Sequence, residues 1–367
     1  MAPEGVILHD FFRGIDGGGR VVATLSKAFG WPIVAGEIED EKFLNQEEIK
    51  AFSLKCLRRS LLSRFSQTLA YINCFRKFSW ARDFIVFSGQ LAPLAAEKTQ
   101  GHKILYCHTP PRILYDAREE TLAQLSLPGR ALFRLLLFWY RSLYEKALRE
   151  MDVLIANSQN VRRRLQKYVA LDAEVIYPPV KVEKFKWISQ EPFFLSTARL
   201  APLKRVDIVI EAFKRMPHKH LVVVSGGPEE GRLKALAAGA PNIQFLGWVS
   251  DRELCDLLGK CLATVYIPKD EDFGLSPIES MAAGKPVIGV AEGGLLETVI
   301  HRETGILLPS NPSPEDLIRA VEFLTPTRAL EMKEACERRA TLFSEENFIE
   351  RFKELVFGST SIGSWLW

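Results

Sequence analysis

The chain has 367 residues, 47% of them hydrophobic and 25% charged, with a formal net charge of +3. That length exceeds one ordinary doubly wound domain and suits two of about 170 to 190 residues each. Six cysteines without Cys-x-x-Cys spacing argue against a zinc site and for free thiols in a reducing cytoplasm, and no uncharged run approaches the roughly 20 residues that a membrane-spanning helix needs.

At the amino terminus no basic segment leads into a long apolar core, so no signal peptide is expected. A strand is expected from Gly5 to His9, followed by Gly14-Ile15-Asp16-Gly17-Gly18-Gly19-Arg20 and a helix from about Val21 to Phe29. Without a Cβ, backbone at Gly17, Gly18 and Gly19 can come close to a phosphate. The run is not Gly-x-Gly-x-x-Gly, so the dinucleotide fingerprint is not matched. Residues 50–71 set Lys50, Lys55, Arg58, Arg59 and Arg64 against Phe52, Leu54, Leu57, Leu61, Phe65 and Leu69. This is the pattern of a basic amphipathic helix, with two readings: one that lies on an anionic membrane surface, or one packed on its domain with a solvated face. His108 falls at a strand end, in Tyr106-Cys107-His108-Thr109-Pro110-Pro111-Arg112. Residues 131–149, dense in Leu and Phe with Trp139 and Tyr140, read as a core or interdomain helix. A polar stretch at 184–192, after Tyr177-Pro178-Pro179-Val180, marks a domain boundary. Up to Phe185 the chain carries 27 Lys and Arg against 20 Asp and Glu, and beyond it 21 against 25, so the first half is the basic one.

Beyond the boundary an apolar strand from Phe193 runs into a loop with Arg199 and Lys204, then a helix from about Val206. Two cations five apart on such a loop suit a phosphate pair, the guanidinium gripping oxygens bidentately and the ammonium acting as a movable point charge; most loop cations are simply solvated. A strand from Leu221 to Val224 ends in Ser225-Gly226-Gly227-Pro228, and another, from Ile243 to Gly247, runs into Trp248 and Val249. The apolar run from Leu262 to Ile267 leads into Glu271-Asp272-Phe273-Gly274-Leu275-Ser276-Pro277-Ile278-Glu279. Here Ser276 reads as an N-cap and Pro277 as the first helical residue. Glu271 then lies at a strand's carboxyl end and Glu279 in the first helical turn, beside amides suited to a diphosphate. Ser276-x-x-Glu279 also reads as a capping box that needs no ligand. A further strand from Val287 to Val290 ends near Gly293-Gly294. Strands alternating with helices imply a parallel, doubly wound sheet. Asp270-Glu271-Asp272 is formally Asp-x-Asp, a metal-holding pattern in another fold, but the Arg199 and Lys204 pair already supplies positive charge, so no metal is expected.

Arg199, Lys204, the Ser225 to Pro228 loop, Glu271 to Glu279, and Gly293-Gly294 with Glu297 together resemble the carboxyl-terminal half of the family 4 retaining glycosyltransferases. The Tyr106 to Arg112 run is similar to a mannosyltransferase-like branch, and Ile155 to Ser158 and Val175 to Val180 also match. The resemblance implies an α/β protein of GT-B fold, with two Rossmann-like domains facing a central cleft. They are an acceptor-side domain at 1–185 and a nucleotide-sugar domain at 186–344, with a final segment at 345–367 whose helix crosses back. It also implies a retaining, metal-independent transferase without a cofactor, acting on a nucleotide diphosphate sugar, GDP-mannose first and a UDP-sugar second. The expected acceptor is a saccharide or lipid-linked saccharide, no nucleic-acid partner is expected, and the expected setting is cytoplasmic, the membrane-surface reading of residues 50–71 adding peripheral contact to an anionic membrane. In this scheme Arg199, Lys204, Gly17 to Gly19 and the helix start after Gly274 hold the diphosphate, Gly226, Phe273 and Leu275 also line the donor site, and Trp248 and Val249 flank the base. Glu279 takes the ribose, Glu271 the donor sugar, and His108 the sugar from the other domain. A GT-B sugar-nucleotide epimerase and a noncatalytic partner subunit are the alternatives. The Glu271 to Glu279 spacing argues against the first and the intact Arg199, Lys204, Glu271 and Glu279 set against the second. The apolar tail Ser364-Trp365-Leu366-Trp367 receives no role.

Overall fold

A computed structural model describes residues 4–12, 16–56, 64–123 and 125–358. The chain divides into two compact units, Met1–Pro179 with Phe348–Trp367, and Val180–Asn347. The first holds a parallel sheet of β1 (Gly5–Phe12), β2 (Ile33–Ile38), β3 (Ala51–Ser53), β4 (Trp80–Ser88), β5 (Thr99–Cys107), β6 (Val153–Ala156) and β7 (Glu174–Val175), in the order β3-β2-β1-β4-β5-β6-β7. The second holds β8 (Phe193–Ser196), β9 (His220–Val224), β10 (Ile243–Gly247), β11 (Ala263–Val265), β12 (Val287–Val290) and β13 (Gly305–Leu308), in the order β10-β9-β8-β11-β12-β13.

Burial on both faces explains the near-continuous apolar runs of these strands. In β1, Val6 and Leu8 enter one core with Ile72 and Phe75, while Ile7 enters the other with Val21, Val22 and Trp31. That alternation follows from the period of two along a strand. The helix Glu345–Phe357 belongs to the first unit's second core: Phe348 and Phe352 are buried there, Phe352 stands 5.6 Å from Phe29, and Phe357 stands 5.0 Å from Phe84.

Four expectations are corrected here. The first helix runs Gly17–Phe29, because Asp16 caps it by accepting a hydrogen bond of 2.7 Å from the Gly19 amide; the three glycines form its first turn rather than a preceding loop. Residues 50–71 are not one helix: Ala51–Ser53 pair with β2 as an edge strand, and a helix spans Arg64–Lys77. Cys56 and Cys74 are joined in a disulfide with Cα atoms 5.6 Å apart, whereas Cys107, Cys255, Cys261 and Cys336 form no disulfide. The helix Arg64–Lys77 places Cys74 within bridging range of Cys56, a tertiary fact that spacing does not record. Finally, Leu127–Arg149 is one helix that buries Leu136, Leu137, Tyr140, Tyr144 and Leu148 yet leaves Leu132, Leu135 and Phe138 exposed. Gly14, Ile15, Leu57, Arg58, Arg59, Leu61 and the tail residues lie outside the described residues.

Candidate active site

In an open α/β sheet, ligands bind beyond the strand carboxyl ends where the connections diverge to opposite sides. In the second unit that point lies between β8 and β11. From β8 the chain proceeds to β9 on one side, and β11 continues to β12 and β13 on the other. The loops after β8 and β11 meet there. Lys204 donates to Glu271 Oε2 at 2.5 Å and to the Tyr266 hydroxyl at 3.0 Å, and its ammonium lies 5.3 Å over the Tyr266 ring. Both partners of the ion pair stay about a fifth exposed, 23% for Lys204 and 21% for Glu271, so the pair is open to a ligand. Burial, with Glu271 adding to it, pushes the Tyr266 phenol well above its ordinary range, which keeps it a neutral donor and acceptor. Arg199, on the same loop as Lys204, is exposed.

Glycines let the remaining loops close around this pair. A Cβ on Gly227 would stand 2.2 Å from the Leu200 carbonyl oxygen, and one on Gly226 2.5 Å from Trp248 Nε1. The Ser225 to Pro228 turn therefore presses on the Arg199 loop and on the Trp248 indole, which is 77% exposed. Val249 beside it is partly buried. On the other side the Gly294 amide donates to the Glu271 carbonyl at 2.9 Å, and a Cβ on Gly294 would stand 2.3 Å from Phe273 Cα. Glu292 fixes the approach, accepting from the Asp270 amide at 2.7 Å and pairing with Arg205 at 3.4 Å.

The capping box is corrected at this point. The helix spans Leu275–Ala282 with Gly274 as N-cap, at φ 91° and ψ 91°, and no side chain caps it. Only glycine adopts that backbone readily, so the helix begins two residues before Pro277, and Glu279 lies in its second turn. Pro277 is tolerated because first-turn amides have no intrahelical acceptor. The amides of Leu275 and Ser276 thus open the helix without a side-chain acceptor, the arrangement that attracts an anion. Glu279 is buried, 5% exposed, one helical turn below. Phe273 is buried against Phe343 with ring centroids 5.6 Å apart.

The first unit has its own cluster at the corresponding point, between β1 and β4. His9 Nδ1 lies 3.0 Å from the Ser88 carbonyl oxygen and 3.1 Å from its Oγ, and that Oγ lies 2.8 Å from His108 Nε2. A Cβ on Gly18 would stand 3.2 Å from His9 and 3.5 Å from His108, so the glycine turn sits over both imidazoles. Burial, reinforced by His9, lowers the His108 pKa to about 3, and the ring is neutral at physiological pH. Beside it, Asp10 accepts backbone hydrogen bonds from Gln90, Leu91 and Ala92 at 2.6 to 3.1 Å, which pins the loop after β4. Sequence reasoning passed over His9, Ser88, Tyr266 and Glu292. Tyr266 sat inside an apolar run, and the others lay outside any recognised motif.

Residues 180–342 match the family model described as Glycosyl transferases group 1. The chain is 26% identical to the human alpha-1,3/1,6-mannosyltransferase ALG2 over 291 residues, 69% of this chain and 67% of that protein. It is likewise 26% identical to the D-inositol 3-phosphate glycosyltransferase of Mycobacteroides abscessus over 372 residues, 94% of this chain and 78% of that one. In structure it is similar to Anabaena HepE in complex with UDP and glucose, with a TM-score of 0.73 at 17% identity over 96% of this chain and 99% of the other.

Proposed function

We propose that the chain, whose residues 180–342 match the group 1 glycosyltransferase model and whose fold resembles GT-B structures, is a family 4 type transferase that moves mannose from GDP-mannose to a saccharide or lipid-linked saccharide, with retention and without a metal. The observation that carries this reading is the junction of Lys204 and Glu271 beside the uncapped start of Leu275–Ala282. Mannose is favoured by the similarity to the human mannosyltransferase and by the Tyr106 to Arg112 run.

In this mechanism the C1–oxygen bond to the β-phosphate breaks and the acceptor oxygen bonds C1 from the same face. The acceptor proton passes to the departing phosphate oxygen, and no protein nucleophile takes part. Negative charge grows on the diphosphate, so preorganised donors aimed at it lower the barrier. Arg199 supplies a bidentate grip, Lys204 a movable ammonium that swings from Glu271, and the amides of Leu275 and Ser276 the helix end. Glu271, once released, accepts from donor-sugar hydroxyls, and Glu279 accepts from the ribose. Trp248 offers an open indole face to the base, with Val249 beside it. In the first unit, neutral His108 serves the donor sugar as a hydrogen-bonding group, and Gly17 to Gly19 open the first helix to the donor. We place the work in the cytoplasm, with peripheral contact to an anionic membrane. No described helix is long and apolar enough to span one.

Transfer assays with GDP-mannose and with UDP- and ADP-sugars, each with and without EDTA, test the reading. Turnover with GDP-mannose at least tenfold above the others, undiminished by EDTA and giving an α-linked product, is the expected result. Preference for a UDP-sugar, dependence on metal, or inversion at C1 each contradicts the corresponding part.

A further inference from the structure

The helix Leu127–Arg149 is apolar on two sides, and the structure covers only one of them. Leu127 is 78% exposed, Leu132 56%, Leu135 66% and Phe138 72%. Other exposed large apolar residues are scattered along the described chain, as on most protein surfaces, whereas these four form one stripe at helical spacing. Contiguous exposure of this kind marks an interaction surface. The helix and its cap from 126 to 142 carry Arg130, Arg134 and Arg141 and no acidic residue. At about 100° per residue, Arg134 and Arg141 fall along one flank of the stripe.

About one turn beyond Phe138, Arg141 of the same helix lines a cavity of about 420 Å³. Its wall includes Tyr115 and Tyr168, stacked with centroids 4.6 Å apart and planes 6° from parallel. Arg141 lies 5.3 Å over the Tyr115 ring, and Lys167 5.3 Å over the Tyr168 ring. Arg118 also lines the cavity, and its Nε is buried with no hydrogen-bond partner among the described residues. Two carboxylates share the wall, Asp116 and Glu119; Asp116 is engaged by Arg112 at 3.2 Å. Arg141 is held by Glu145 at 2.6 Å, which leaves Arg118, with its unused buried donor, and Lys167 to meet a phosphate.

We propose that the exposed face of this helix docks on an anionic phospholipid bilayer, with a lipid phosphate held in the cavity beside Arg118. Leu132, Leu135 and Phe138 enter the headgroup boundary, and the flanking arginines meet the anionic surface, the combination by which an amphipathic helix lies on a membrane. This assigns the surface for the membrane contact in the functional reading and rests on that part alone, independently of donor identity. It also moves that contact away from residues 50–71.

Sedimentation of the full chain with vesicles of phosphatidylcholine, alone or mixed with phosphatidylglycerol, tests the proposal at low and high salt. Binding to the mixed vesicles at low salt is expected, with at least tenfold weaker binding for the double variant Leu135→Ser/Phe138→Ser and roughly threefold weaker binding for Arg118→Gln. Both stripe positions are exposed, so the variants retain the fold, and stabilisation by nucleotide in the same samples reports the donor site separately. No binding by the parent chain, or equal binding by the double variant, overturns the docking. Parent-level binding by Arg118→Gln overturns the phosphate assignment. Light scattering that shows a dimer which the double variant abolishes, with no vesicle binding, assigns the face to a second copy and also overturns the proposal.

Discussion

Replacing Lys204 with alanine lowers kcat by roughly 100- to 1,000-fold while the protein stays folded. The magnitude follows from the role proposed for the side chain. Removing one preorganised donor from a site of developing negative charge typically costs about two to three orders of magnitude. Lys204 bridges the β8 loop to Glu271 through the 2.5 Å bond, and it is positioned by Tyr266 at 3.0 Å. Stability is little affected because the pair is partly solvated, and pairs of that kind contribute at most about 1 kcal/mol. Lys204→Arg recovers only part of the activity, because the planar guanidinium does not fit the position between Tyr266 and Glu271 that a compact ammonium occupies. Steady-state kinetics beside thermal unfolding separate the two effects. A Lys204→Ala enzyme within threefold of the parent would remove Lys204 from the donor site.

Gly294→Ala has the second large effect, and it acts on stability first. The new methyl would stand 2.3 Å from Phe273 Cα and 2.7 Å from the Asp272 carbonyl oxygen, both backbone atoms, so relief requires the 271–274 loop to move. Overpacking against backbone costs about 3 kcal/mol, which for a unit of this size lowers the melting temperature by roughly 6 to 12 °C. Because the displaced loop carries Glu271 and leads to the uncapped helix at Leu275, nucleotide stabilisation falls with it. Unfolding followed with and without GDP reads both quantities. A variant that melts with the parent and keeps its nucleotide response shows that the loop contact is dispensable.

Much of the fold was legible because apolar runs and glycine ends recur together. The runs at Phe193, Leu221, Ile243 and Val287 are all strands, each ending in a loop, and their alternation with helices fixes a parallel sheet. At the site, the Arg199 and Lys204 loop and the Glu271 loop were readable as strand-end segments, and the structure brings Lys204 and Glu271 into contact. What escaped is tertiary. Tyr266 looked like one more apolar residue until Lys204 was seen on its hydroxyl. The helix start near Gly274 was misread by two residues because Ser276-Pro277 satisfies the usual signals, while the positive φ of Gly274 is a property of its loop. Cys56 and Cys74 pair through tertiary packing that their spacing does not reveal. In Leu127–Arg149 the pattern shows apolar residues on both sides, and only packing decides which of them is covered.

If the β8 and β11 loops of the second unit hold a nucleoside diphosphate, as proposed, thermal unfolding with GDP, UDP and ADP, each with and without EDTA, reads it out. A ligand at 100 times its Kd adds about 2.7 kcal/mol, or roughly 5 to 10 °C here. A shift of that order is expected with GDP, with smaller shifts for UDP and ADP, no change with EDTA, and loss of the GDP shift in Lys204→Ala. No shift with any of the three nucleotides would contradict it.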